Sequence, residues 1–326
     1  MSRTNNAANA LLRYESGQQL VPMQAMTDSG DRTKFTIPDA PWSAAAGREP
    51  VILPDGLATG GAITPGTGDN NVNIAALTAY QGGELKSIGS GTQAADRAST
   101  GTHKITSIVI TAAGALGKEP GADGSAFSET RGADGGPPLI PAGAIELGQI
   151  RISGTDDAPI TAAEIFTVPG THTELYDFPI WNENPGRGEV EFVAALPAIH
   201  TDSKPKAVYA QVYTPIFAPL EPASDFVPPE TTYSQSSTQV YGGSIGSSSQ
   251  SLSQGSFTTY LRDGVTDTVI GLEGQNLWWQ FFPHRLRAPH LLFQSTLGFA
   301  RSYPPGTTIS AACTLSANGP AIPVSE

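Results

Sequence analysis

Glycine and proline interrupt this chain so often that no long helix fits into it. The 326 residues include 36 glycines and 27 prolines. Glycine weakens a helix because its backbone is unusually free, and proline lacks the backbone donor that a helix interior needs. Both residues are favoured in turns and at strand ends. The sequence therefore disfavours a helical bundle and a regular α/β enzyme.

Several segments alternate apolar and polar residues with the period of two that is typical of a strand with one buried face. One such segment covers 207–217, where Val208, Ala210 and Val212 share one side. Another covers 307–317, and Cys313 lies on its apolar side. We expect Cys313 to pack in a core.

These patterns predict a mainly β fold, an antiparallel β-sandwich or barrel with long loops and an extended N-terminal arm. We expect few helices, all short, with candidates over 6–15 and 161–166.

Composition divides the chain into four predicted parts. They are an N-terminal arm with loop-rich strands over 1–100, a β-sandwich domain over 101–230, a Ser/Gly/Gln linker or long loop over 231–256, and a C-terminal β-strand domain over 257–326. The first part is rich in small and polar residues, which is typical of segments that are either disordered or ordered by a neighbour. Deleting 1–30 is therefore expected to spare folding and to abolish stacking between copies.

The chain carries a formal net charge of −12, and the acidic excess lies wholly in residues 1–230. That part holds 26 acidic and 14 basic residues, whereas 231–326 holds four of each. An acidic surface repels nucleic acid, because binding requires Lys and Arg to displace counterions. Solubility is the simplest explanation of the excess.

Other whole-chain features indicate assembly in a reducing cytoplasm. Cys313 is the single cysteine, so no disulfide forms within the chain. No segment resembles a secretion signal, and no run of 18 apolar residues predicts a membrane span.

The sequence predicts no catalytic, cofactor-binding or metal-binding site. None of the five histidines forms an i, i+4 pair on a plausible helix. The one segment that fits the G-x-S-x-G pattern, 242–246 around Ser244, lies in low-complexity sequence. The segment at 114–119 resembles a phosphate-binding loop, but Glu119 occupies the position of the magnesium-binding hydroxyl. We therefore expect a protein that is not an enzyme.

An aromatic cluster is the most informative local feature. It consists of Trp278, Trp279, Phe281 and Phe282, and Arg285 and Arg287 follow it. On a strand these aromatics point to both faces, so something must cover each face. Either the strand is buried on both sides within one subunit, or one face forms a subunit interface, where Trp and Arg are favoured. In the second case the two arginines pair with the acidic part of a neighbour.

In its overall character the chain resembles a bacteriophage major tail (tail tube) protein of the long, flexible, non-contractile type. The resemblance consists of the loose N-terminal part, the β-rich middle with long insertions, the amphipathic strands at the end and the acidic charge. It implies a virion protein, assembled in the host bacterial cytoplasm, whose rings stack into a channel through which DNA passes without specific binding. Its partners would be copies of itself, as a hexamer or a pseudo-six-fold trimer, and other tail proteins.

Two other functions stay open. A capsid decoration protein would also be acidic and β-rich. A carbohydrate-binding or carbohydrate-cleaving tail protein would need an aromatic platform beside paired carboxylates, and Trp181 with Asp177 and Glu183 is the best candidate. A capsid protein is disfavoured, because no amphipathic run is long enough for its spine helix.

Overall fold

The computed structural model describes residues 9–43, 45–176, 180–220 and 222–325. Within these ranges the protein is mainly β, with antiparallel pairing in open sheets and only short 3-10 helices. No helix there is long and apolar enough to cross a membrane.

The strands of the first half are β1 (Leu11–Ala25), β2 (Thr27–Asp28), β3 (Lys34–Thr36), β4 (Val51–Pro54), β5 (Gly56–Gly60), β6 (Ile63–Pro65), β7 (Asn71–Ile74), β8 (Leu77–Gln81), β9 (Glu84–Ile88), β10 (Gly91–Ala94), β11 (His103–Ile110), β12 (Leu116–Pro120) and β13 (Ile145–Ser153). Those of the second half are β14 (Ile165–Phe166), β15 (Trp181–Asn184), β16 (Glu189–Phe192), β17 (Val208–Pro219), β18 (Ala223–Val227), β19 (Thr231–Val240), β20 (Gly243–Leu252), β21 (Gly255–Tyr260), β22 (Asn276–Phe282), β23 (His290–Ser302), β24 (Ser310–Ala317) and β25 (Ile322–Val324). The 3-10 helices span Ala162–Glu164, Pro185–Arg187 and Thr268–Leu272.

The largest sheet has nine strands and is organised around β1. Its order is β18-β21-β24-β23-β22-β1-β17-β4, and β25 pairs with β23. β1 pairs with β17 along most of its length, so that Leu20 lies opposite Tyr213. On its other side Tyr14 lies opposite Trp279 of β22. β1 therefore pairs on each side with a strand that follows it by some 200 residues or more.

The expected N-terminal helix and arm do not agree with this arrangement. Residues 11–15 belong to β1 rather than to a helix over 6–15, and the start of that predicted helix falls on residues that the structure does not describe. Leu12 and Tyr14 are buried in the core. Pairing with distant strands outweighs the weak local helix preference. Deleting 1–30 would remove a central strand, so the structure argues against the expectation that folding survives the deletion.

The nine-stranded sheet curls strongly around one apolar cluster. Phe226 on β18 stacks on Phe281 of β22, with ring centroids 4.1 Å apart. These strands are four steps apart in the sheet, which would place them roughly 19 Å apart in a flat sheet at ~4.8 Å per step. Trp279 lies inside the curl and is fully buried, with Tyr14 and Phe257 at centroid distances of 6.2 and 5.7 Å.

A buried carboxylate fixes the surroundings of β1. Glu15 Oε1 accepts hydrogen bonds from Ser43 Oγ (2.5 Å) and Gln18 Nε2 (2.8 Å), and Glu15 Oε2 accepts one from the Trp278 backbone N–H (3.0 Å). Three donors satisfy the carboxylate in the interior, which is the condition for burying such a group at tolerable cost. Glu15 thereby connects β1 with β22 and with the loop that precedes β4.

A small sheet covers the β17 side of the large one. β15, β16, β3 and β2 form this four-stranded sheet. Its residues Phe35, Val190 and Phe192 form a second apolar cluster with Val208 and Ala210 of β17.

The segment between β4 and β17 is an insertion. Pro54 at the end of β4 lies opposite Val208 at the start of β17, so residues 55–207 leave and re-enter the large sheet at neighbouring strands. Most of the insertion folds into three small sheets around a third apolar cluster, to which Ile108 and Ile150 belong. The strands therefore do not follow the boundaries expected at residues 100 and 230, because β1, β17 and the C-terminal strands share one sheet.

The Ser/Gly/Gln tract over 231–256, expected as a linker or long loop, forms β19, β20 and the start of β21. β18 pairs with β21, and β19 pairs with β20 over its whole length. The tract is therefore a long hairpin between two paired strands.

Asp55 lies at the junction of the large sheet and the insertion. Its side chain is buried, and its Oδ1 accepts a hydrogen bond from the Gly82 backbone N–H at 2.9 Å. Burial raises the pKa of Asp55 to about 6; the Gly82 hydrogen bond lowers it, nearby Glu174 raises it, and Lys206 and His200 lower it. The folded protein therefore binds the Asp55 proton more tightly than the unfolded chain does.

This pKa predicts a pH-dependent contribution to stability. The contribution is present below the ordinary pKa of 3.8 and is lost as pH rises toward 6, because the buried group must then ionise. The free energy of unfolding of wild type minus that of Asp55→Asn should fall by up to about 3 kcal/mol between about pH 4 and pH 7, at ~1.4 kcal/mol per pKa unit. Denaturant unfolding at each pH measures it. The control Asn73→Gln changes an exposed side chain that does not titrate and should show no such trend. A flat difference for Asp55→Asn would contradict the assignment.

The curl predicts which substitution in the large sheet lowers the free energy of unfolding most. Trp279→Ala should reduce the free energy of unfolding by about 3–5 kcal/mol, because it leaves a cavity at the centre of the curl. Tyr241→Ala, at a fully exposed position, should stay within about 0.5 kcal/mol of wild type. Urea unfolding, followed by tryptophan fluorescence and circular dichroism, measures the free energy of unfolding of both variants. Equal losses of free energy in the two variants would refute the proposed centre of the core.

Candidate assembly surface

Two of the six predicted interface residues lie inside the subunit. Trp279 occupies the curl, and Trp278, on the other face of β22, is also buried. The Trp278 indole Nε1 donates a hydrogen bond to the Trp42 carbonyl oxygen at 2.5 Å. Within this chain β22 is thus covered on both sides at these positions, so the interface prediction is wrong for both tryptophans. The alternative of a strand buried within one subunit describes them correctly.

The two phenylalanines are partly buried by the same chain. Phe281 stacks on Phe226 in the curl. Phe282 stacks on His290 with ring centroids 4.6 Å apart, and the Arg13 guanidinium lies 5.2 Å from its ring centroid. Each ring thus has an aromatic partner within its own chain.

The two arginines lie on an exposed loop over 283–289, after β22. The Arg285 backbone N–H donates to the Asn9 carbonyl oxygen at 2.8 Å, which holds the loop against the start of β1. Arg287 is exposed, and Leu286 between the two arginines is 84% exposed. This loop is the part of the predicted interface that remains accessible.

The largest exposed element is the β19–β20 hairpin. Ten residue pairs join its strands, from Thr231 opposite Leu252 to Val240 opposite Gly243. On one face, side-chain hydroxyls pair across the strands in a ladder: Thr232 with Ser251 (2.8 Å), Ser234 with Ser249 (2.6 Å) and Ser236 with Ser247 (2.7 Å). Apart from its base the hairpin is exposed on both faces, and none of its residues belongs to a described apolar cluster.

Apolar groups at the hairpin tip and along its strands face solvent. Tyr241 in the turn is fully exposed, and Tyr233 and Ile245 are exposed by 73% and 63%. Gly242 adopts φ +92°, a conformation that glycine permits in a tight hairpin turn. A Gly-Gly dipeptide at the turn, between two tracts of Ser, Thr and Gln, was the available sequence signal for this hairpin, and the low-complexity interpretation missed it.

A cavity lies where the insertion meets the small four-stranded sheet. It has a volume of about 410 Å³, and residues with apolar side chains make up much of its lining. Ile180 and Val193 at this cavity are exposed by 78% and 73%, and the Val193 N–H donates to the Ile180 carbonyl oxygen at 3.3 Å. Two large aliphatic side chains therefore remain uncovered beside a recess.

Charged groups also line this cavity. Arg131 forms an ion pair with the buried Glu146. Glu174 Oε2 accepts a hydrogen bond from the Glu146 backbone N–H at 3.1 Å, whereas its Oε1 is buried without a hydrogen-bond partner among the described residues. Burial raises the pKa of Glu174, and nearby His200 and Lys206 oppose that shift. Sequence reasoning did not single out Glu174, because its burial arises only when the insertion packs.

The carbohydrate-site candidate is only partly described. Trp181 packs against the cluster between the small sheet and β17, so its ring is not a free platform. Glu183 lies two residues along the same strand, and burial raises its pKa. Asp177 lies outside the described residues.

Among the described residues, the potential metal ligands are dispersed and the cysteine is buried. In the described part of the chain, no three His, Cys, Asp or Glu side chains are grouped so that they could hold a metal ion. Cys313 is buried on β24, as its alternating pattern predicts, and burial raises the pKa of its thiol to about 12. A thiol that stays protonated at neutral pH is a poor nucleophile.

Comparison with protein-family models finds no match to this chain, and comparison with curated proteins finds none either.

Proposed function

We propose that this protein is the tail tube subunit of a bacteriophage with a long, flexible, non-contractile tail, a structural protein that assembles into stacked rings around a channel for DNA. The observation that carries the proposal is the β19–β20 hairpin. It has ten paired residues per strand and lacks a covering layer on either face.

A bare hairpin needs a partner to be well ordered. An isolated two-stranded hairpin is marginally stable in water, and stable sheets need a third strand or a packed face. Exposed strand edges also invite pairing with another chain. A second copy of the subunit that covers the hairpin would supply both. In a tube, the hairpin would form a contact between subunits, although it contributes nothing to the core of its own subunit.

The edges of the large sheet offer a route to a closed ring. The sheet ends at β18 on one side and at β4 on the other. Pairing of such edges between neighbouring copies removes open edges, and a head-to-tail contact with the right rotation closes into a ring. The chain has two β regions, the nine-stranded sheet with its cover and the insertion. A trimer with two β regions per subunit would therefore approximate a six-fold ring, and a hexamer is the other arrangement.

Charge supports a channel that does not retain DNA. The net charge is −12, and its acidic excess precedes residue 231. Acidic walls would let DNA move without binding, because they offer no cations to replace the counterions of the phosphates. Assembly in the host cytoplasm and contacts with other tail proteins at the tube ends complete the proposal.

Negative-stain electron microscopy of the purified protein at increasing concentration tests it. We expect wild type to form hollow tubes or stacked rings, whose symmetry an averaged end view would resolve. In a shortened variant, an Asn-Gly turn replaces 233–250 and joins Thr232 to Ser251, which are paired across the hairpin. This variant should keep the circular dichroism and thermal unfolding of wild type but lose tube formation.

Ser236→Ala is the matched control, because it removes one hydroxyl from the ladder and keeps the hairpin. It should still form tubes. Wild-type monomers at every concentration would contradict the tube function and favour decoration or glycan binding. Normal tubes from the shortened variant would show that the hairpin is not the assembly element.

A further inference from the structure

The loop over 283–289 exposes side chains that are suited to a contact with another chain. Pro283 and Pro289 bound it, and prolines restrict the backbone of such a loop. Leu286 is almost fully exposed, and exposed Arg287 follows it. A single exposed leucine needs no explanation, but a leucine beside arginine on a restricted loop combines two groups suited to one partner site.

The cavity beside Val193 offers groups that complement the side chains of this loop. Its rim exposes Ile180 and Val193, and its lining includes Glu174, whose buried Oε1 has no partner within the described ranges. A buried acceptor without a hydrogen bond is costly, so a donor that arrives with a partner would be favoured. The volume of about 410 Å³ far exceeds the ~30 Å³ of a water molecule and admits an aliphatic side chain.

The two features lie at opposite ends of the β1–β17 pair. Leu11 at the start of β1 lies opposite Phe282, which directly precedes the loop. Ala25 at the end of β1 lies opposite Tyr209, close to Lys206 in the cavity lining. β1 has 15 residues and spans roughly 50 Å at ~3.3 Å per residue. The loop therefore cannot fill the cavity of its own chain.

We propose that Leu286 of one copy enters the cavity beside Val193 of a second copy and places Arg287 next to Glu174. The contact is heterologous, because it joins different surfaces on the two copies. Repetition of such a contact generates a closed ring or a continuing stack. The inference rests on the proposed tube function and names one of the surfaces through which the copies join.

Glu174 Oε1 is the acceptor at the contact that is left for the arriving arginine. Within the cavity Arg131 is paired with Glu146, and Lys206 Nζ donates to the Leu175 carbonyl oxygen at 3.2 Å. The arriving guanidinium donates to the remaining carboxylate oxygen, in a charge-assisted hydrogen bond. The leucine covers the two aliphatic side chains at the rim.

Disulfide trapping between separately purified variants tests the contact. Leu286→Cys is mixed with Val193→Cys, assembled and oxidised gently, and disulfide-linked dimers are measured by non-reducing gel electrophoresis. The native Cys313 is buried and does not interfere. We expect efficient heterodimers in this mixture. Leu286→Cys mixed with Leu85→Cys, at an exposed position of the insertion, is the matched control and should give none.

Absence of the 286–193 disulfide would overturn the contact, and if tubes still form it would leave the tube function intact. A Tyr241→Cys and Val193→Cys disulfide in its place would assign the cavity to the hairpin tip and would also overturn the contact. A 286–193 disulfide in small oligomers that never become tubes would keep the contact and refute the tube.

Leu286→Asp provides an independent readout. The substitution lies on an exposed loop, so circular dichroism and thermal unfolding should match wild type. The lost apolar contact and the added carboxylate beside Glu174 should raise the critical concentration for assembly, measured by sedimentation, at least about tenfold. Leu85→Asp should leave that concentration unchanged. An unchanged value for Leu286→Asp would overturn the proposal.

Discussion

The pairing of β1 with β17 on one side and β22 on the other is the constraint on which the structure depends. It joins the first strand to partners some 200 and 260 residues later, so the large sheet cannot form until both ends of the chain meet. β17 holds β4 and with it the insertion, while β22 contributes Trp279 to the curl. Glu15 reinforces this junction, because its carboxylate accepts hydrogen bonds from three different segments.

The same curl determines which residues are left for assembly. A sheet that wraps around its own aromatic cluster buries large side chains. From the sequence pattern alone, the same side chains are candidates for an interface with another subunit. Accessible apolar groups include the loop with Leu286, the hairpin with Tyr241 and the rim of the cavity beside Val193. None of these three elements contributes a large side chain to the curl, and the proposed assembly depends on that separation.

Local patterns predicted part of this fold correctly. Alternation placed Val208, Ala210 and Val212 on one buried side of a strand and Cys313 in a core, and both predictions are confirmed. The Gly and Pro content correctly indicated a mainly β protein with few, short helices. The N-terminal segment was misjudged, because small polar residues give no hint that strands far along the chain will pair with β1. The hairpin was misjudged because its strands are stabilised by backbone pairing and hydroxyl ladders rather than by burial.

The sequence by itself determined the class of fold, the positions of the amphipathic strands and the distribution of charge, since each of these depends on residue type and local spacing. Only the tertiary structure decided which aromatic residues are buried, that residues 55–207 form an insertion, and that Glu174 lines a cavity beside exposed aliphatic side chains. The physical reason is that burial is a property of long-range packing. A tryptophan in an interface and a tryptophan in a curled sheet have the same local sequence, and only the partner strands distinguish them.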